Sequence, residues 1–354
     1  MDLSIIIPTY NEKRNVRDIS EKIIKEFKKN KIRGEIIFVD DSSPDGTGEI
    51  LDILSQKNKE VRVIHRPNKS GLASAVSKGW RSAKGKVLGV IDADLSHNPE
   101  KIPRMMKCIL KENYEIVIGS RYIKGGKILN WNIVRRLCSK ISVALAKLLV
   151  DVKDPMSGFF MIKKECVNDL KIESQGFKIL LETLIKTDCK KIKEIPISFK
   201  DREKGKSKAG FKEGILYLSN IIRWLKYKNI HKELLKFGGV GFLGLLANLG
   251  VLYSLTEVIG LYYIISATIS FFISVIITYT LNKIWTFEED LRDRYLAKGI
   301  KFLTIAIIAL LINISFLYIF TEFLEIYYII SQILAVGIAS LVNFIGNKRW
   351  TFKI

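Results

Sequence analysis

Val87-Leu88-Gly89-Val90-Ile91-Asp92-Ala93-Asp94 is the stretch on which the reading of this chain turns. Its five apolar residues in succession predict a short buried strand, with two carboxylates at the C-terminal mouth. On an extended segment, residues i and i+2 project to the same side. Asp92 and Asp94 therefore offer paired hard oxygens to a divalent cation, and to a diphosphate that such a cation neutralises. The same residues also read as a solvated strand end, because a short motif alone is weak evidence. The neighbouring segments separate the two readings.

Upstream, the chain runs directly into Leu3-Ser4-Ile5-Ile6-Ile7-Pro8-Thr9-Tyr10, a buried strand and a turn, with no signal-peptide pattern expected. Val16, Ile19, Ile23, Ile24 and Phe27 recur at helical spacing over 15–30. Glu35 to Asp41 reads as a second strand, and 47–57 as a helix opened by Ser42-Ser43-Pro44-Asp45-Gly46-Thr47. Val61–Ile64 is a third strand, Leu72–Ala83 a helix, 99–112 a helix and Ile116–Gly119 a fifth strand. Repeated βα units predict a mainly parallel sheet with helices on both faces, whose ligands bind outside the carboxyl ends of the strands. The polar residues collect at those ends: Pro8-Thr9-Tyr10-Asn11-Glu12, Asp40-Asp41, Asp92-Ala93-Asp94 and Gly119-Ser120-Arg121. A single nucleotide pocket follows. Neither Gly-x-Gly-x-x-Gly nor Gly-Lys-Ser/Thr is present, so it is not a dinucleotide or P-loop site.

The net charge is +21, and +19 of it lies in residues 1–235, which calls for an anionic partner: a nucleotide, a phospholipid surface or nucleic acid. Without a recognition-helix pattern, zinc-finger spacing or RNP-like strand, nucleic acid is set aside. Cys108, Cys138, Cys166 and Cys189 show no CxxC and read as buried free thiols in a reducing compartment, not as a disulfide or zinc framework. The three histidines lie far apart in sequence, which argues against a histidine metal site.

Together the runs IIIPTYNE, VDDSSPDGT, DADLSHNPE and GSRYIKGG resemble inverting nucleotide-sugar glycosyltransferases of the GT-A fold, and within them the polyprenyl-phosphate sugar synthases of the dolichyl-phosphate mannose type. The resemblance covers roughly residues 1–210. It implies that Pro8, Tyr10, Glu12, Val39 and Asp41 line base and ribose, and that Asp92, Ala93 and Asp94 hold the diphosphate and a Mg²⁺ or Mn²⁺ ion. Relatives often carry Gln two residues after the second Asp. Here Ser96 stands there, a hydroxyl of shorter reach that can still ligate directly or through water.

By the same resemblance, Asp154-Pro155-Met156-Ser157-Gly158-Phe159-Phe160, a turn into an apolar strand, belongs to the acceptor side, with Asp154 and Ser157 near the reacting centre. The basic segment 199–208 becomes a loop closing over the donor, with Arg202 and Lys208 on the diphosphate; from composition alone it reads as a linker. Asp94, Arg121, Arg202 and Asp154 are then the catalytic candidates, and Arg121, Arg135, Ser139 and Lys178 the candidates for gripping an acceptor phosphate. Lys178 also reads as a solvated charge beside Glu182 on one helix face.

Four apolar segments, about 238–257, 262–281, 302–320 and 327–346, approach the roughly 20 residues that span a bilayer. A shift of 65 residues aligns 236–287 with 301–352 without a gap, with twenty of 52 positions identical, among them Asn248/Asn313 and Asn282-Lys283-x-Trp285-Thr286-Phe287/Asn347-Lys348-x-Trp350-Thr351-Phe352. This is a duplicated two-helix hairpin. An even number of spans per copy inserts both the same way up. The connections 223–236 and 283–301 and the C-terminal tail are basic, those near 258–261 and 321–326 are not, so the basic side, with the N-terminal domain, is expected in the cytoplasm. The tail resembles GtrA-like membrane domains. Between the halves, Phe211 to Lys228 is a basic amphipathic segment, suited either to a membrane interface or to packing on the catalytic domain. Asn248 and Asn313 read as interhelical hydrogen bonders.

The expected architecture is therefore an α/β GT-A domain (1–210), an interfacial linker (211–235) and a GtrA-like domain (236–354) of four transmembrane helices in two tandem hairpins. The expected activity is transfer of mannose from GDP-mannose to dolichyl (polyprenyl) phosphate at a lipid bilayer, with inversion. UDP-glucose or another nucleotide sugar is the enzymatic alternative and a lipid-phosphosugar carrier the non-enzymatic one. A processive polysaccharide synthase fits less well, since no Gln-x-x-Arg-Trp segment is present.

Overall fold

The structure, a computed structural model, describes residues 1–129, 131, 133–168, 170–172, 179–200 and 211–352. In chain order it begins β1 (Leu3–Thr9), α1 (Val16–Lys29), β2 (Gly34–Asp40), α2 (Thr47–Lys57), β3 (Val61–His65), α3 (Leu72–Ser82) and β4 (Val87–Val90). It continues with α4 (Ile102–Leu110), β5 (Ile116–Ser120), β6 (Lys127–Leu129), α5 (Ile133–Ala146), β7 (Phe160–Lys163), α6 (Ile179–Lys186), β8 (Ile192–Pro196) and β9 (Ser198–Lys200). Helix α7 (Phe211–Tyr227) precedes α8 (Ile230–Tyr253), α9 (Tyr263–Leu281), α10 (Tyr295–Tyr318) and α11 (Tyr328–Gly346). Two compact units divide at Trp224/Leu225.

In the first unit seven strands form one sheet in the order β3-β2-β1-β4-β7-β5-β8, and β6 pairs with β9 in a separate ribbon. The apolar runs of β1, β2 and β4 become central strands buried on both faces, as continuous hydrophobic runs must. The apolar stripe of α1 (Val16, Ile19, Ile23, Ile24, Phe27) packs on Ile5, Ile7 and Phe38. The sheet is parallel except at β7, which runs antiparallel between β4 and β5. A four-residue run buried on both sides carries no information about its direction, and neither that reversal nor β6, β8 and β9 is legible in the sequence pattern. The reversal matters for the site. It brings the loop 154–159 to the edge where β1, β2, β4 and β5 end, with Phe160 level with Val90 and Ile118.

Helix α7 belongs to the first unit for most of its length. Tyr217 and Trp224 are buried, and the Tyr217 hydroxyl donates to the Ser142 carbonyl at 2.6 Å.

In the second unit Ile230–Val258, Ile269–Thr286, Tyr295–Phe323 and Ile330–Thr351 are long and apolar enough to cross a membrane. The first and third begin earlier than hydropathy suggested, because charged residues such as Glu233, Lys236 and Lys298 continue α8 and α10 in helical form. All four end in a wider turn closed by an i+5 amide: Ile259 to Ser254, Phe287 to Asn282, Leu324 to Ile319 and Phe352 to Asn347. The duplication is visible as paired contacts. Phe287 stacks on its repeat counterpart Phe352 at 4.4 Å. Around them Phe237–Phe344 (5.4 Å) mirrors Phe302–Tyr279 (5.5 Å), and Phe287–Phe344 (6.1 Å) mirrors Phe352–Tyr279 (6.2 Å). Thr286 donates to Asn282 as Thr351 does to Asn347.

The symmetry fails at the intramembrane asparagines. Asn248 Nδ2 reaches Ser270 Oγ at 3.2 Å, joining α8 to α9. Asn313 Nδ2 is buried with no partner among the described residues, because the counterpart of Ser270 is Ala335. Among the described residues, the interhelical bond expected of both asparagines is seen for Asn248 and not for Asn313 Nδ2.

Candidate active site

At the carboxyl edge of the sheet, parallel register sets Pro8 level with Val39 and Thr9 with Asp40, and β4, with Val90 beside Ile6, delivers Asp92 and Asp94 next to them. The turns leaving these strands share a backbone feature: Asn11 follows β1, Ser42 follows β2 and Leu95 follows β4, each with φ of 60°. Left-handed backbone at a non-glycine residue costs on the order of 1 kcal/mol or more and concentrates where geometry serves a function. Nothing in the residue type Leu announces it.

Pro8 and Val39 lie side by side near the ends of β1 and β2, with Tyr10 and Glu12 in the turn after β1 and Asp41 at the start of the turn after β2, so the expected base and ribose residues converge. The two turns are tied together. Asn11 N donates to Ser43 Oγ (3.0 Å), Glu12 N to Thr47 Oγ1 (3.0 Å), and Asp45 accepts from Thr47 Oγ1 (2.5 Å) and Lys13 N (3.3 Å). Burial raises the Asp45 pKa, but these bonds outweigh it and hold the carboxyl below its ordinary range. Asp41 is buried. It accepts from Ser70 N (3.0 Å) and Gly71 N (2.8 Å) and pairs with Arg66 at 2.9 Å, which fastens the loop after β3. On that loop Lys69 Nζ lies 3.8 Å from the centre of the Tyr10 ring, a cation–π contact on a residue expected to line the base.

Asp94 Oδ1 accepts from both Ser96 N (3.1 Å) and Ser96 Oγ (2.5 Å), so Ser96 orients this carboxylate through its own proton. Ala93, between the two acids in sequence, is buried. Asp92 Oδ2 lies 3.2 Å from His97 Nε2. A carboxylate only accepts, so Nε2 is the donor; the buried Nδ1 has no partner among the described residues. His97 sits edge-on to Phe199 (5.0 Å) and beside Phe159 (5.7 Å). Sequence reasoning missed it, since its chemistry comes from contact with Asp92 across the turn at Leu95 and not from a second histidine. Gly158 was missed as well. A Cβ there would stand 2.3 Å from Asp92 Oδ2, so only glycine allows that carboxylate its position. Two carboxylates, one braced by a hydroxyl and the other by an imidazole and a bare backbone, are an all-oxygen donor set that fits a hard divalent cation.

Beyond β5, Arg121 meets Asp154 in a two-pronged pair: Nε to Oδ2 and Nη2 to Oδ1, both 2.8 Å, with the Arg121 amide adding a third bond at 2.9 Å. Asp154 is fully buried, and Glu194 accepts from the amides of Lys153 and Asp154, fixing the loop. Burial alone would lower the Arg121 pKa; the bonds and charge of Asp154 reverse this and raise it. The rings of Tyr122, Trp131 and Phe199 surround its guanidinium at 5.4–5.6 Å. Arg135 lies over the same Trp131 at 4.4 Å, and Ser139 Oγ is 2.8 Å from the Tyr122 hydroxyl, so Arg121, Arg135 and Ser139 form one neighbourhood. Ser157 Oγ donates to the Gly119 carbonyl at 2.6 Å and bonds Phe159, which makes it a brace for the loop. Lys178, Arg202 and Lys208 lie outside the described residues.

Comparison with known proteins follows the same division. The model of glycosyl transferase family 2 matches residues 4–186, and that of the GtrA/DPMS transmembrane domain matches 236–352. A dolichol-phosphate mannosyltransferase of Pyrococcus furiosus is 37% identical over 359 residues, spanning 99% of this chain and 99% of the relative. One of Saccharomyces cerevisiae is 38% identical over 231 residues, 62% of this chain and 86% of its own length. Among solved structures, a Mycobacterium tuberculosis glucosyl-3-phosphoglycerate synthase with Mn²⁺ and UDP-glucose superposes with a TM-score of 0.48 at 20% identity, over 64% of this chain and 78% of that one. The chain belongs to glycosyl transferase family 2, as a membrane glycosyltransferase whose GT-A domain is followed by a GtrA/DPMS transmembrane domain.

Proposed function

We propose that this enzyme transfers mannose from GDP-mannose to dolichyl (polyprenyl) phosphate, forming a β-linked lipid-phosphate mannose at the cytoplasmic face of the cell membrane. The observation that carries this reading is the likeness to the Pyrococcus furiosus enzyme over 99% of both chains, membrane hairpins included. The geometry supports it. An acidic pair stands beside the turns for base and ribose, and across from it a cluster of cations and aromatic rings faces the same strand ends.

A phosphate acceptor is already anionic at neutral pH, so the reaction needs no general base. Catalysis reduces to aligning the acceptor oxygen with the anomeric carbon and stabilising the departing nucleoside diphosphate. Pro8, Tyr10, Glu12, Val39 and Asp41 receive the nucleoside. Asp92 and Asp94, braced by His97 and Ser96, would hold Mg²⁺ or Mn²⁺, which when bound neutralises charge on the diphosphate. Arg202 and Lys208 add cationic contacts to the same group. Arg121, Arg135, Ser139 and Lys178 receive the lipid phosphate, and the Asp154 pair keeps Arg121 in one orientation with donors to spare. A single displacement inverts the anomeric centre.

The test is one assay on membranes containing the protein, with radiolabelled GDP-mannose or UDP-glucose, polyprenyl phosphate, and Mn²⁺ present or chelated. Lipid-linked mannose that requires both GDP-mannose and metal is the expected product. Transfer from UDP-glucose alone reassigns the donor, and movement of lipid phosphosugar across the bilayer without synthesis overturns the enzymatic reading.

A further inference from the structure

At the opposite edge of the sheet, three potential ligands from distant parts of the chain meet. Glu115 immediately precedes β5, Cys166 lies in the one-turn helix after β7, and Cys189 in the turn before β8. Because β7 is reversed and adjoins β5, and β5 adjoins β8, all three arrive at the same end. One carboxylate oxygen and the two sulfurs lie within 4.8 Å of one another. That is a modest side-chain adjustment from the about 3.3–3.8 Å separating ligand atoms around a tetrahedral zinc ion.

The expectation of four isolated, buried thiols is corrected here: Cys108 is buried, Cys138 is exposed, and Cys166 and Cys189 are partly buried side by side. Their spacing in sequence gives no sign of this, since the sheet topology makes the pair.

The backbone around the cluster is held from several directions. The amides of Lys190 and Lys191 donate to Glu115 Oε2 at 2.7 and 2.8 Å, Glu115 N donates to the Lys191 carbonyl at 2.8 Å, and Lys163 N donates to the Glu115 carbonyl at 3.0 Å. Both side-chain bonds fall on Oε2. The bond from Lys191 is the main reason the Glu115 carboxyl lies below its ordinary range, so it is an anion at neutral pH. Burial raises both thiols, so the resting pair is protonated. Two thiolates and one carboxylate would carry three negative charges, against which a divalent cation and the neighbouring Lys163, Lys190 and Lys191 provide compensation.

We propose that Glu115, Cys166 and Cys189 form a binding site for a thiophilic divalent cation of the zinc class, with solvent at the fourth position. Binding exchanges the two thiol protons for the metal, releasing two protons per ion and forming two metal–sulfur bonds. The sulfur ligands separate it chemically from the all-oxygen pair Asp92 and Asp94, which favours Mg²⁺ or Mn²⁺. The ion would clip the exit of β7 to the entries of β5 and β8, bracing the strand whose other end carries the 154–159 loop.

The experiment titrates the full-length protein, in detergent and with a phosphine reductant, first with Co²⁺ and then with Zn²⁺. A thiolate-to-cobalt charge-transfer band that saturates at one equivalent and is bleached by Zn²⁺ is expected. It should vanish in Cys166→Ser and in Cys189→Ser and persist in Cys108→Ser, Cys138→Ser and Asp94→Ala. Because oxygen ligands give no such band, the acidic pair cannot imitate it. No band in the wild type, or a band unchanged in Cys166→Ser and Cys189→Ser that keep wild-type melting behaviour, overturns the proposal.

Discussion

Arg121 and Asp154 face each other with two parallel bonds of 2.8 Å, and Asp154 is fully buried. Removing one member of such a pair leaves a buried charge uncompensated, which costs about 3–5 kcal/mol. Asp154→Ala should therefore lower the melting temperature markedly and reduce transfer by at least about 100-fold. The double variant Arg121→Met/Asp154→Leu separates the two effects. It should melt closer to the wild type, since an apolar pair avoids the desolvation penalty, yet remain inactive on the proposal that Arg121 is one of the cations receiving the acceptor phosphate. Recovery of turnover in the double variant would show that the pair is only structural.

Asp94 is expected to matter far more than its size suggests. Asp94→Ala should reduce transfer by about 10²–10³-fold or more, the loss expected if Asp94 holds the ion proposed to neutralise the leaving group. Deletion of residues 231–354 should weaken transfer less. The check is initial rates with metal and with excess chelator; substantial turnover by Asp94→Ala in chelator would remove the metal from the mechanism.

His97 and Gly158 both bear on Asp92 Oδ2. Loss of a group that orients a metal ligand typically lowers metal affinity about 10–100-fold. His97→Leu should raise the Mn²⁺ concentration for half-maximal rate by that amount, while His97→Gln, which keeps a donor, should recover part of it. Gly158→Ala places a methyl 2.3 Å from Asp92 Oδ2 and should produce the same displaced metal dependence. Calorimetric titration of Mn²⁺ into protein holding GDP reads the effect apart from turnover.

Glu35 ties three strands together at the far edge of the sheet. It accepts from Ser4 Oγ (2.6 Å), Arg62 Nη1 (2.6 Å) and the Lys84 amide (2.7 Å). Burial pushes its pKa up, but these bonds outweigh it and the folded value lies below the ordinary 4.5. A depressed carboxylate contributes its full stability above the unfolded value and loses it as pH falls through the folded one. Glu35→Gln should thus melt below the wild type at neutral pH, with the gap narrowing below pH 4.5. Melting curves taken from neutral into acid buffer decide it; a constant gap would mean that Glu35 contributes by packing alone.

Much of this molecule is legible in its residues, because burial and periodicity are local properties. The runs at β1, β2 and β4, the acids at their ends, the four apolar helices and the 65-residue repeat can all be read directly. Direction and proximity are not local. The reversal of β7 depends on which neighbours a short apolar strand finds, and with it go the loop carrying Asp154 and the meeting of Cys166 with Cys189. The contact of His97 with Asp92 depends on Leu95 adopting a left-handed turn, which no propensity for leucine would suggest. Asn313 shows the converse: a repeat implies equivalent contacts, and one change at Ala335 cancels one.

The duplicated hairpins have also diverged in charge. Lys348 pairs with Glu233, whereas for its repeat counterpart Lys283 the position 65 residues after Glu233, just before the second repeat, holds another cation, Lys298. Glu289, in the segment joining the hairpins, lies 3.0 Å from Lys283 and 2.6 Å from Lys298. Lys283 is wholly buried, so Glu289→Ala should cost about 3–5 kcal/mol, whereas breaking the exposed Lys236–Glu288 pair should leave the melting temperature almost unchanged; melting in detergent compares them. The joining segment is thus a third partner in the fold, not a tether. A second hairpin severed from it would set Lys298 against Lys348 on self-association without Glu289 between cations, so the order of the halves along the chain is part of how they recognise each other.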